Sequence, residues 1–163
     1  MNVVIHILII IFLLILQFSF LNFVLPFYLA PNIILSVLVC NLLFTAQIRT
    51  VLIYSFSVGV LMDLYNGNVI VFSALYFLLI IFLLVFLQRK LAIKSGFGAF
   101  LFFLIIVSLL YNFLVLIVIK IDSAIFPVFW STRLATAMFG GVLANLIFGS
   151  PIYFLWRKIA VKN

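Results

Sequence analysis

The chain of 163 residues carries few groups able to do chemistry: two carboxylates (Asp63 and Asp122), one histidine (His6) and one cysteine (Cys40), against nine lysines and arginines. A lone cysteine makes no intrachain disulfide and no paired-cysteine metal or redox motif. Cys40, beside Val39 and Leu42, reads as a small packing residue, because no basic neighbour stabilises a thiolate. His6 reads as a polar group at a membrane interface rather than a ligand or base. No nucleophile is spaced for activation by a base, so the expectation is no catalytic residue, no metal and no cofactor. Asp63 is different, because it is the only acid within an apolar run, and an ionisable group inside a membrane is a functional-site candidate by default. It follows Arg49 by fourteen residues, or about 21 Å of helix, which puts it near the outer end of its run. Three readings stay open for it: a structural anchor that orders the Asn66-Gly67-Asn68 turn or pairs with Lys120 or Arg133, a contact for a partner protein, or a group that handles substrate or protons.

These residues are few because 70% of the chain is hydrophobic and 7% charged, with a mean hydropathy of +1.59. Soluble domains are about 45–50% apolar, which excludes an ordinary soluble protein. Spanning helices need about 20 apolar residues each. The pattern predicts one polytopic all-α membrane domain over 1–163, a bundle of six spans at about 3–27, 32–47, 50–65, 69–87, 97–119 and 133–156. The first run lacks the basic start and small-residue cleavage site of a signal peptide and reads as a span. Pro26 and Pro31 bracket a connection, Asn66-Gly67-Asn68 makes a turn, and Lys120 to Thr132 forms a loop holding Asp122, Pro127 and Trp130.

The net charge of +7 does not read as nucleic-acid binding, because the cations sit at the ends of apolar runs. Six spans put both termini on one side. Arg49, Arg89, Lys90, Lys94, Arg157, Lys158 and Lys162 then share that side, leaving only Lys120 and Arg133 opposite. Cytoplasmic loops carry the excess of Lys and Arg, so both termini are expected in the cytoplasm.

Ser55, Gly59, Asp63 and Gly67 recur every four residues along one helical stripe, and small residues there let another helix approach closely. In the last span Ala137 with Gly141, and Gly140 with Ala144, make two overlapping small pairs. These serve either internal packing or contact with another protein. Asn41, Asn112 and Asn145 read as interhelical hydrogen-bonding groups. The 21 phenylalanines are spread over nearly every run and call for no aromatic-ligand pocket.

Pro31-Asn32 at the start of the second run, followed by Gly59-x-x-x-Asp63-Leu64-x-x-Gly67, resembles MreD, the rod shape-determining membrane protein family. Val128-Phe129-Trp130-Ser131 is also similar to sequence in some members. The resemblance implies a non-enzymatic subunit of the bacterial cell-elongation machinery in the cytoplasmic (inner) membrane. It implies association with a bitopic MreC-like protein and, indirectly, with MreB and the peptidoglycan synthases, besides membrane lipid. The competing reading is the substrate-binding membrane subunit of an energy-coupling-factor vitamin transporter, similar in size, span number and fold. That subunit needs convergent polar groups near its outer face, which Asp63, Asn66, Asn68, Lys120, Asp122 and Arg133 could supply.

Overall fold

The structure, a computed structural model, describes residues 11–12, 15–21, 31–44, 48–66, 72–91, 96–122 and 133–161. Side-chain surroundings are described for these except 18, 20–21, 65–66, 72, 115–122, 133–138 and 160–161. All described elements are helical. A π-helical segment, Leu16–Leu21, is followed by α1 (Ile33–Phe44), α2 (Ile48–Asn66), α3 (Phe72–Lys90), α4 (Phe97–Asp122) and α5 (Arg133–Val161). Among the described residues, three helices contain segments long and apolar enough to cross a membrane: Ser73–Lys90, Phe97–Leu114 and Phe139–Ile159.

The most enclosed helix is α1. Its sequence is apolar on every face, and a helix of that kind is stable only when surrounded. Every residue from Ile33 to Leu43 is buried, and α2, α4 and α5 all pack on it. The 12 described residues of α1 rise about 18 Å. Within the expected 32–47 span the structure describes helix over Ile33–Phe44, at the centre of the bundle, and residues 45–47 lie outside the described residues. Asn32 caps it, its Oδ1 accepting from the Leu35 N–H at 3.4 Å.

The other helices show one buried and one exposed face. In α3, Ala74, Phe77, Ile80, Ile81 and Leu84 are buried, while Leu75, Leu79, Phe82 and Phe86 point outward, Phe82 at 73% exposure. Water disfavours such a surface and a lipid environment accommodates it. α4 and α5 run antiparallel, since Phe97 stacks on Phe154 with ring centroids 5.2 Å apart while Ser108 bonds Asn145. α1 runs parallel to α5, because Asn32 meets Asn145 and Phe44 meets Tyr153. Tyr153 gathers Phe44, Phe97 and Phe100 at centroid distances of 5.4, 5.3 and 5.0 Å, a lock on one end of the bundle.

Several boundaries also move. α3 continues through Arg89 and Lys90, and α5 through Arg157 and Lys158, so these cations extend helices rather than follow them. Cations in a last helical turn meet the negative end of the helix dipole. Lys120 and Asp122, expected in a loop, close α4. Of the expected first span only 11–12 and 15–21 are described; His6, Lys94, Lys162, Gly67, Asn68 and the 123–132 loop lie outside the described residues.

Candidate functional site

Buried polar side chains from several helices, Gln17, Asn32, Asp63, Ser108 and Asn145, come together near one level of the bundle. Counted along their helices from the exposed cations Arg49, Arg89 and Arg157, residues Asp63, Ser73 and Asn145 stand about 18–24 Å from that end. Two joints are built there, and each ties the start of one helix to the flank of another.

The first joint is the α2–α3 crossing. Gly59 lies against the backbone of α3: a Cβ at this position would overlap Ala74 Cα and come within 2.6 Å of Ala74 N. Only glycine lets the two backbones approach so closely. One turn on, the Asp63 carboxylate accepts the Ser73 N–H at Oδ2 (2.9 Å) and Oδ1 (3.1 Å), and the Ala74 N–H at Oδ2 (3.4 Å). These are among the first donors of α3, which have no partner within their own helix. A carboxylate at a helix N-terminus also meets the positive end of the helix dipole. Asp63 is fully buried, and its observed partners are backbone amides. The ion-pair candidates Lys120 and Arg133 lie where side chains are not described. Ser55, the next residue back along the stripe, is buried and returns its hydroxyl to Val51 O at 2.7 Å.

The second joint holds the start of α1. Asn145 Oδ1 accepts the Asn32 N–H, and its Nδ2 donates to Ser108 Oγ at 2.9 Å, so one amide links α1, α4 and α5. Gln17 Oε1 accepts the Ile34 N–H at 3.3 Å. Pro31, also buried, precedes the cap and has no N–H to satisfy. Glycine again flanks the polar residue at four-residue spacing. A Cβ on Gly141 would meet Asn112 Nδ2 at 3.0 Å, and one on Gly149 would meet Ser36 Oγ and, at 2.8 Å, Leu104 Cδ2.

Of the small residues expected to pack, Gly141 and Ala144 are buried and Gly140 is half-buried. Ala137 is helical, with its side chain outside the described set. The partners of Asn32 and the roles of Gln17, Ser108 and Gly149 did not follow from the sequence. Gly149 was detectable, since Gly141, Asn145 and Gly149 repeat the spacing of Gly59, Asp63 and Gly67. Among the described residues no group of three or more His, Cys, Asp or Glu comes together to hold a metal. The chain matches no family model, no curated protein and no solved structure.

Proposed function

We propose that this chain is a non-catalytic, six-span subunit of the bacterial cell-elongation complex, similar to MreD. In this reading it lies in the cytoplasmic membrane with both termini in the cytoplasm. It scaffolds an MreC-like bitopic protein and, through it, MreB and the peptidoglycan synthases. The observation that carries the reading is the use made of Gly59 and Asp63: the anchors of the MreD-like motif are spent on joining α2 to α3. A chain whose most distinctive acid holds a neighbouring helix in place is suited to scaffolding. Arg49, Arg89, Lys90, Arg157 and Lys158 are exposed and gathered at one end, in keeping with a cytoplasmic face.

The test is co-purification with a bitopic MreC-like protein, together with rescue of a rod-shape defect. A chain that neither captures such a protein nor restores shape, while present and folded in the membrane, is not an elongation subunit. Reporter fusions at Asn163 and near Lys94 should read as cytoplasmic and those near Asn68 or Ser123 as periplasmic; a periplasmic C-terminus overturns the six-span arrangement. The convergence of polar groups at one level favours the vitamin-transporter reading as the alternative. Tight, specific vitamin binding by the purified chain would establish that reading instead.

A further inference from the structure

Three exposed apolar stripes of the bundle each end on a cation, and they end on the same side. On α3, Leu79, Phe82 and Phe86 point outward along one face, and exposed Lys90 follows one turn later with its Nζ 5.7 Å from the Phe86 ring centroid. On α5, Ile147 and Phe154 are exposed and lead to exposed Lys158. On α2 the order is reversed, and exposed Arg49 leads to Ile53 and Phe56. Arg49 opens α2 and Lys90 closes α3, while the Asp63 bonds join these two helices at their other ends. Lys158 stands five residues beyond Tyr153, whose ring packs on Phe44, four residues before α2 begins. Arg89 and Arg157, beside the two lysines, are exposed as well. The side chains of this protein do not neutralise that end, because the sequence has only two carboxylates. Asp63 is committed to backbone amides at the start of α3. Asp122 closes α4 about 38 Å of helix away from Phe97, and Phe97 stacks on Phe154 near the basic end.

We propose that this basic end binds the headgroups of acidic phospholipids, whose acyl chains lie along the three stripes. The chemistry selects the occupant. An exposed apolar stripe is covered by hydrocarbon, and the cation that ends it is met by an anion; a lipid with a net negative headgroup supplies both in one molecule. Arginine takes a phosphate through two parallel hydrogen bonds and lysine takes it as a point charge. A zwitterionic lipid brings its own cation, which these side chains repel, so selectivity for the acidic headgroup follows. The depth agrees with this. Ser73–Lys90 and Phe139–Ile159 are long enough to cross a membrane, so Lys90 and Lys158 reach the headgroups of a bilayer that these segments span. The inference rests on the membrane placement that both functional readings share, and not on the elongation role.

The test is mass spectrometry of the intact full chain in detergent micelles, which counts bound lipid, with equimolar dioleoyl phosphatidylglycerol and dioleoyl phosphatidylcholine. Phosphatidylglycerol is expected to bind about fivefold more tightly, the equivalent of about 1 kcal/mol for one Lys or Arg near an anionic headgroup. Arg89→Gln with Lys90→Gln, and Arg157→Gln with Lys158→Gln, change exposed side chains only and should each lower that preference; adding Arg49→Gln to both pairs should abolish it. Arg89→Lys with Lys90→Arg keeps the charge and should keep the preference. Equal binding of the two lipids by the unaltered chain overturns the proposal, and so does a preference that survives loss of all five cations. Glycerol phosphate carries the headgroup charge without acyl chains and should not displace phosphatidylglycerol at equal concentration; if it does, the end is a free-phosphate site and the stripes contribute nothing. Capture of polyglutamate at the same cations, with no preference between the lipids, would make this end a docking surface for an acidic protein and overturn the proposal as well. Co-purification and rod-shape rescue decide the functional reading separately, so failure here leaves that reading standing.

Discussion

The two joints solve one problem with different chemistry. Each must satisfy the first N–H groups of a helix that begins buried among other helices. The α3 start is met by one carboxylate, which takes Ser73 and Ala74 together. The α1 start is met by neutral acceptors from three places: Asn145 for Asn32, Gln17 for Ile34 and the Asn32 side chain for Leu35. Hydrogen bonds to an ionised acceptor are roughly twice as strong as neutral ones. The α2–α3 joint therefore concentrates its stability in Asp63, while the α1 joint distributes it. Close approach differs in the same way: Gly59 faces backbone, which cannot yield, whereas Gly141 and Gly149 face side chains, which can.

The largest effect is expected at Gly59. Gly59→Ala adds a methyl that overlaps Ala74 backbone, so α2 and α3 must separate and Asp63 loses its reach. Overpacking costs about 1–3 kcal/mol and occasionally more. The helix propensity gained by Ala, about 1 kcal/mol, does not offset a displaced joint. Thermal unfolding in detergent should show a loss near the upper end of that range, with membrane abundance falling alongside. A stable Gly59→Ala protein would mean that the crossing is looser than the observed approach of Gly59 to Ala74.

Asp63 comes next and separates anchoring from proton handling. Asp63→Leu leaves two donors without acceptors, at about 1–3 kcal/mol for each buried unsatisfied group, and should lose stability and, under the proposed scaffolding role, rescue of the rod-shape defect. Asp63→Asn keeps one acceptor oxygen and should retain most function with a loss of about 1 kcal/mol. A stable, assembled but inactive Asp63→Asn protein would contradict anchoring and point to a protonation role.

At the α1 start, Asn145→Leu removes one acceptor and the partner of Ser108, with Gln17 and Asn32 still in place. The cost should be smaller than for Asp63→Leu, about 1–2 kcal/mol. If the order of the two leucine variants were reversed, the contrast between a concentrated and a distributed joint would fail.

How much of this was legible in sequence depends on which partner carries the information. The stripe of Ser55, Gly59 and Asp63 was visible because helical periodicity fixes which residues share a face. The destination of Asp63 was not. Its partners are main-chain N–H groups of Ser73 and Ala74, which every residue but proline possesses, so no side chain marks them. Similarly, Asn145 was marked as an interhelical group, but nothing in residues 31–44 announced that Asn32 would meet it through its backbone. The central position of α1 was hidden for another reason: a helix apolar on every face carries no moment to say which neighbours surround it.

The smallest effect is expected at Gly141, where the two joints are most alike in sequence and least alike in packing. Gly59 and Gly141 each precede a buried polar residue by four positions, so a sequence argument assigns them equal weight. In the structure a Cβ on Gly141 meets only the Asn112 amide, at 3.0 and 3.4 Å, and a terminal amide yields a few tenths of an ångström more readily than a backbone. The strain of Gly141→Ala is opposed by a gain in helix propensity of about 1 kcal/mol, leaving a net change of about 0.5 kcal/mol or less in either direction. Gly141→Leu extends well beyond that contact and should separate α4 from α5, weakening the Asn145–Ser108 bond. Thermal unfolding of the Ala variants at 59 and 141, measured side by side, tests this directly. Equal losses would show that glycine spacing alone governs both joints; a large loss at 59 with almost none at 141 would show that what faces the glycine decides.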